Sequence, residues 1–259
     1  MSLFSEKYKG FIFDMDGTIW LEDKMIEGAV STLNYLIEKE KHLLFVTNKT
    51  TQTQDEYAQF LKSNGVNVSN SQILTAANNC LKFLKNERKN KKFYAIAEDT
   101  FINQIIDAGL IFCENPKDIE VLIISLDRNY SQEKFEIAKK ALINGAEFLA
   151  ANIDSTCPVI NGEIVDAGKI ISDLELETNK KLSQHFGKPS GYMISTIKEN
   201  LIYELKDYLL IGDRLETDIL MGNEMGLDTV LVESGVLNLI KNSTFLSTYN
   251  VLSIRNILY

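Results

Sequence analysis

The stretch Phe11-Ile12-Phe13-Asp14-Met15-Asp16-Gly17-Thr18 decides how this chain is read. Three consecutive apolar residues, two of them aromatic, run into aspartates two positions apart, and a glycine then breaks the run. Short apolar runs bounded by turn residues mark strands buried on both faces, as in parallel sheets. If the extended backbone persists to Asp16, its period of two puts both carboxylates on one side. Carboxylates converging at the end of a buried strand repel each other and require a cation or a proton between them. That is costly to keep for packing alone, so the octapeptide reads as a chemical site as well as a strand.

Downstream, strands and helices alternate. Residues 27–40 place Val30, Leu33, Leu36 and Ile37 at helical spacing. Residues 42–48 are a second apolar run, ending in Thr47 and Asn48, and residues 54–63 set Tyr57, Phe60 and Leu61 on one helical face. The pattern predicts strands at 92–97, 121–125 and 147–151 and helices at 99–108 and 132–143. It resumes with a strand at 208–211, a helix at 216–225 and a strand at 229–232. Such alternation implies an α/β fold with a doubly wound parallel sheet and helices on both faces. The basic run at 85–92 reads as a solvated helix end and turn.

Composition narrows the function classes. The net charge of −9 argues against a nucleic-acid surface, which would need a basic patch. It leaves room for a small anionic substrate neutralised locally by a metal or a few placed cations. No apolar run reaches the length of a membrane span, and the opening MSLFSEKYKG has no signal-peptide core. Cys80, Cys113 and Cys157 are odd in number and far apart, which suggests neither a disulfide framework nor a zinc cluster. They read as reduced packing residues, and the expected location is the cytoplasm. With only His42 and His185 present, histidine-based catalysis is not expected, and His42, ahead of an apolar strand, reads as structural.

Ligands in such sheets lie beyond the carboxyl ends of the strands, and those ends carry a consistent inventory. The first gives Asp14 and Asp16, and the second Thr47 and Asn48. The run Tyr208-Leu-Leu-Ile-Gly212-Asp213-Arg214-Leu-Glu216-Thr217-Asp218 gives two more carboxylates, and Gly187-Lys188-Pro189-Ser190 holds a single lysine. Carboxylates for a hard cation, hydroxyl and amide donors and one lysine suit a phosphoryl group bound with magnesium. A calcium loop does not fit, because the glycine falls at the fourth position and Met25 stands at the twelfth.

Taken in order, hhhDxDGT, a strand ending in Thr-Asn, an isolated lysine and GDxxxxD resemble the haloacid dehalogenase superfamily of aspartate-dependent phosphatases. The interval between Asn48 and Lys188 leaves room for an inserted α/β cap domain similar to the type C2 cap of the NagD-like branch. The cap segments that carry this are Ser125-Leu-Asp127-Arg128-Asn-Tyr130, Ala151-Asn152-Ile-Asp154-Ser-Thr-Cys-Pro158 and Asp166-Ala167-Gly168. With Gly-Lys-Pro-Ser they most resemble that branch's sugar-phosphate phosphatases. The implied division is a core at 1–78, a cap at 79–184 and a second core part at 185–259.

The resemblance implies roles residue by residue. Asp14 would be the nucleophile and Asp16 the general acid and base. Mg2+ would be held by Asp14, the backbone carbonyl of Asp16 and Asp213, with Asp218 bound directly or through a water. Thr47, Asn48 and Lys188 would hold the phosphoryl oxygens. In the cap, Asp127, Arg128, Asn152 and Asp154 are candidate substrate contacts, with hydrogen bonding within the cap loops as the alternative. Thr18 and Trp20 fall in the hairpin flap that follows the nucleophile in this fold. One departure stands out: the branch usually reads Thr-Asn-Asn where this chain has Thr47-Asn48-Lys49, so Lys49 either faces the phosphate or points outward.

The expected substrate is a small phosphorylated metabolite, a sugar phosphate or nucleoside monophosphate. A phosphomutase on the same scaffold and a non-catalytic binding protein are the alternatives. A homodimer through the cap is one candidate assembly, and neither nucleic acid nor membrane is an expected partner.

Overall fold

The opening run forms the strand Gly10–Asp14, buried at every residue. In the computed structural model, which describes residues 3–160, 162–235 and 246–258, it lies inside a parallel sheet. The strand order is Tyr249–Val251, Asp228–Val232, Tyr208–Gly212, Gly10–Asp14, His42–Thr47 and Ile73–Thr75. Phe11, Phe13, Leu43, Phe45, Leu209 and Ile211 share one core with Leu33 and Leu36 of helix Ala29–Glu38 and Tyr57 and Leu61 of helix Gln54–Ser63. Ile12, Leu44, Val46 and Leu210 face the other way, onto Met193 and Ile197 of helix Gly191–Glu199 and onto Met221 and Met225. Helices cover both faces, so the strands read as unbroken apolar runs.

The chain leaves Gly10–Asp14 for His42–Thr47 on one side, while Tyr208–Gly212 lies on the other. The order therefore reverses at the strand that carries Asp14, which is where an open α/β sheet has its crevice.

A second parallel sheet, ordered Gln184–His185, Glu147–Ala150, Val121–Ile124, Lys92–Ile96 and Ile111–Phe112, is built the same way. Phe93, Ala95, Val121 and Ile123 enter one core, and Tyr94, Ile96, Leu122 and Ile124 the other. From this half an antiparallel hairpin, Thr156–Val159 with Gly162–Val165, reaches the first sheet. Arg214 Nη2 donates to the Thr156 carbonyl at 2.8 Å and ties the two together.

Three local expectations change. The strand ends at Asp14, and Asp16 makes a single bridge to Trp20 at the entry to the hairpin Trp20–Leu21/Lys24–Met25. The element expected at 216–225 opens as a wide π turn, Leu215–Ile219, before the α-helix Leu220–Met225. In the basic run the lysines are exposed, but Arg88 turns inward. It makes a two-pronged pair with Glu147 at 2.6 and 2.8 Å and lies 4.9 Å from the Phe83 ring. His42 is structural as expected, its Nδ1 2.8 Å from the Tyr208 hydroxyl. No helix among the described residues is long and apolar enough to cross a membrane.

Candidate active site

The carboxyl ends of the first sheet's strands bring four charged groups together. Lys188 Nζ, buried, donates to Asp14 Oδ1 at 2.5 Å and to Asp218 Oδ1 at 2.7 Å. Thr18 Oγ1 donates to Asp14 Oδ2 at 2.8 Å, and the Arg214 N–H donates to Asp218 Oδ2 at 3.1 Å. Asp14, Asp213 and Asp218, all buried, offer one oxygen each within 4.8 Å of one another. Gly17, at φ 89°, is where the chain passes against this group: a Cβ there would stand 2.3 Å from Asp213 Oδ2.

Burial pushes the Asp14 carboxyl well above its ordinary range. Lys188 works against that, and Asp218 and Asp213 add to it. Burial would lower the Lys188 ammonium, but Asp14 and Asp218 together hold it up. Asp14 and Asp218 share one lysine, and Asp213 adds a third buried carboxylate beside them. An all-oxygen set of this kind fits a hard divalent cation, which would also favour the ionised form of Asp14.

Asp16 lies beside this group. Its Oδ1 accepts from Lys49 Nζ at 2.8 Å and from Trp20 Nε1 at 3.2 Å, and its Oδ2 has the Thr47 hydroxyl at 3.5 Å. Lys49 therefore points into the site. Burial depresses its ammonium, but the Asp16 charge, Cys157 and the hydrogen bond to Asp16 together hold it above its ordinary value. Trp20 combines packing with polar contact, stacking on Tyr57 and meeting Phe60 edge-on.

Asn48 joins the two halves. Its Oδ1 accepts from the Lys188 N–H at 2.6 Å, and its Nδ2 donates to Asp154 Oδ2 at 2.7 Å and to the Lys188 carbonyl at 3.2 Å. Asp154 also faces Arg214 Nε at 3.4 Å.

Two cavities meet here. A small one, about 40 Å³, is lined by Asp14, Asp16, Thr47, Asn48, Asp154, Lys188, Asp213 and Asp218, among others. A larger one, about 930 Å³, is lined by Asp127, Arg128 and Tyr130, by the flap residues Glu22 and Asp23, and by Ile164, Val165 and Ile170. Lys49, Cys157 and Pro158 line both and form the neck between them.

All the sequence-predicted core residues thus gather around the small cavity. The cap candidates divide. Asp154 joins the small cavity, whereas Asp127 and Arg128 line the large one, each already engaged. Asp127 accepts from Lys134 Nζ at 2.5 Å, and Arg128 pairs with Glu98 at 2.5 and 2.7 Å. Asn152 lines neither cavity and hydrogen-bonds within the cap, to Asp154 and Asp166. Sequence reasoning missed Arg214, Cys157 and Asp166 as site residues. Arg214 stands inside the GDxxxxD motif, Cys157 was assigned to packing, and Asp166 was seen only as part of a segment whose Gly168 lets a helix start against the Ile153 carbonyl.

The family model for haloacid dehalogenase-like hydrolases matches residues 11–111, and a HAD-hydrolase-like model matches residues 185–245. The chain belongs to the haloacid dehalogenase-like hydrolases. It is a phosphatase, and within the family it falls in the NagD-like branch. It is 29% identical over 231 residues to an acid sugar phosphatase of Staphylococcus haemolyticus, covering 89% of this chain and 87% of that one. Among solved structures, the p-nitrophenyl phosphatase of Archaeoglobus fulgidus superposes with a TM-score of 0.84 at 28% identity, covering 97% of this chain and 98% of that one. NagD of E. coli K-12 gives 0.78 at 28% identity, covering 96% and 98%.

Proposed function

We propose that this phosphatase hydrolyses phosphomonoesters of small metabolites, sugar phosphates foremost, through an aspartyl-phosphate on Asp14. The observation that carries the reading is the meeting of Asp14, Asp218 and Lys188 within 2.7 Å contacts, with Asp16 lining the same small cavity. The sugar assignment draws on the likeness to the staphylococcal acid sugar phosphatase. The outer cavity of about 930 Å³, lined by charged and apolar side chains alike, is also large enough for the alcohol part of such an ester.

In the first step an Asp14 oxygen attacks phosphorus, the bond to the ester oxygen breaks, and Asp16 gives the departing oxygen its proton. In the second, Asp16 takes a proton from water, whose oxygen attacks phosphorus. The bond to Asp14 breaks, restoring its carboxylate and releasing inorganic phosphate. Asp16 Oδ1 is taken up by Lys49 and Trp20, so Oδ2, with only the long Thr47 contact, is the oxygen with capacity for that proton. Lys188 and the Thr47 hydroxyl hold the non-bridging oxygens, where charge accumulates. Mg2+ held by Asp14, Asp213, Asp218 and the Asp16 carbonyl would neutralise the carboxylates and the phosphoryl charge.

The test is release of phosphate from p-nitrophenyl phosphate and from a panel of sugar phosphates and nucleoside monophosphates, with and without magnesium, beside Asp14→Asn. Activity confined to the wild type with magnesium, and greatest on a sugar phosphate, is expected. Wild-type turnover by Asp14→Asn would sink the mechanism. A preference for nucleotides would sink the substrate class alone.

A further inference from the structure

Asp166 is buried and lines the small cavity, yet the reaction above does not use it. It opens helix Ala167–Thr178, and its Oδ1 accepts from the Ala167 N–H at 2.5 Å and from Asn152 Nδ2 at 3.0 Å. The same Asn152 nitrogen donates to Asp154 Oδ2 at 3.3 Å. Asp154 in turn grips Asn48 and faces Arg214. One amide nitrogen thus bridges two buried carboxylates, and Arg214, the cation that pairs with this cluster among the described residues, stands on the Asp154 side. Asp166 has no ion pair among the described residues.

We propose that Asp166 is a positioning residue for this phosphatase: through Asn152 it governs how firmly Asp154 holds Asn48 and Arg214, and so couples the cap loop to the phosphoryl grip according to whether Asp166 carries a proton. The inference rests on the functional reading above. Burial first, then the neighbouring Asp154, pushes the Asp166 carboxyl up to about 7, while Asn152, the Ala167 N–H and Arg214 pull the other way.

The other groups around it do not take over this role. The Cys157 thiol is pushed up to about 12 by burial and by Asp16, so it stays neutral. His185, which faces Asp154, is lowered by burial and contributes no charge near neutrality. Lys49, Lys188, Asp14, Asp16, Asp213 and Asp218 line the same cavity, where Lys49 is engaged with Asp16 and Lys188 with Asp14 and Asp218. With Asp166 protonated, Asp154 is the sole anion at Asn152 and draws Asn48 and Arg214 together. Once Asp166 ionises, it competes for the Asn152 amide and repels Asp154, and the grip loosens.

The experiment compares the wild type with Asp166→Asn, which keeps an acceptor oxygen without the charge, and with Asp166→Ser, a neutral helix cap. KM and kcat for a hydrolysed phosphomonoester, the affinity for inorganic phosphate and Tm are each followed from about pH 5 to about pH 8.5. In the wild-type-to-variant ratio the ligand's own ionisation cancels. The expected result is a KM ratio that rises by about tenfold between about pH 6 and about pH 8, the range of one proton, with kcat moving less. The phosphate affinity should weaken in step.

The sign for stability is also set. A carboxyl raised in the folded state stabilises at low pH, and that contribution is lost as pH rises from its ordinary value toward about 7. Both variants should lack that decline. A KM ratio and a phosphate-affinity ratio that are flat with pH would overturn the proposal, even if the variants are slower throughout. A Tm difference independent of pH would overturn it as well. If the wild type hydrolyses no phosphomonoester, the functional reading fails, and the phosphate-affinity ratio still decides the role of Asp166.

Discussion

Lys188→Met tests whether one ammonium is what allows the site's carboxylates to stay buried together. Side-chain exposure is 4% for Lys188, 7% for Asp14 and 2% for Asp218, so the charges have little water to fall back on. Removing one partner of a buried ion pair costs about 3–5 kcal/mol, because the other is left uncompensated. Here two carboxylates lose the same partner, which puts the expectation at the upper part of that range. For a chain of this size the loss lowers Tm by roughly 6–20 °C.

The pH dependence carries the diagnostic. Burial already raises the folded-state Asp14 carboxyl, so its contribution favours folding at low pH and is lost as pH rises from its ordinary value to the raised one. Without Lys188 the carboxyl rises further, so the variant's extra loss should be small near about pH 5 and large near about pH 8. Magnesium should raise the variant's Tm more than the wild type's, because a cation among Asp14, Asp213 and Asp218 takes over the missing neutralisation. Calorimetric unfolding of both proteins across that pH range, with and without magnesium, is the assay. A loss below about 1 kcal/mol near about pH 8, the scale of an exposed pair, would refute the reasoning. So would a loss constant with pH.

Two further outcomes follow from the same geometry. Lys49→Asn removes a charge-assisted hydrogen bond to Asp16 that is mostly shielded from water, with 18% and 12% side-chain exposure. At about 1.5–3 kcal/mol for such a bond, kcat/KM should fall by roughly 10- to 100-fold, and a change below about threefold would mean that the ammonium does not hold the acid in place. Gly17→Ala puts a methyl 2.3 Å from Asp213 Oδ2 at a φ of 89°. The backbone penalty alone is about 1–2 kcal/mol, and the magnesium concentration for half-maximal activity should rise; an unchanged magnesium requirement would show that Asp213 need not stay where Gly17 lets it lie.

The sequence was most legible where a side chain's chemistry and its place on a strand end coincide. Asp14, Thr47, Lys188 and Asp213 could be located because an apolar run stops at, or a glycine stands beside, each of them. Helices with one clear apolar stripe were readable for the same reason, and Gln54–Ser63 and Gln132–Ile143 fall where their periodicity puts them. Helix Ala76–Glu87 was missed because it follows the strand Ile73–Thr75 with no break between them, and its buried face sets Asn79 and Cys80 beside Ala76, Ala77 and Leu84. Helix Ala167–Thr178, which opens behind its cap Asp166 with Gly168 against the Ile153 carbonyl, was not read from the sequence either. The direction of Lys49 was not legible at all, since nothing local to Thr47-Asn48-Lys49 tells that Asp16, 33 residues earlier, waits on the other side.

The two cavities also explain why reaction type is easier to read here than substrate. Around the small cavity the groups proposed for the chemistry come from the ends of three core strands or from loops beside them, and the strand-end positions follow from sheet register. Around the large one, Asp127 and Arg128 already have partners in Lys134 and Glu98. Any substrate they recognise must share or displace those partners, and a residue list does not reveal the balance of that exchange. Among the described residues, Lys49, Cys157 and Pro158 alone belong to both spaces. On the reading proposed here, a substitution at Lys49 should therefore change rate and substrate preference together, whereas one at Arg128 should change preference first. Parallel kinetics of the two variants on a sugar-phosphate panel separates these cases, and equal effects on every substrate from Arg128→Ala would mean that the outer cavity does not hold the leaving group.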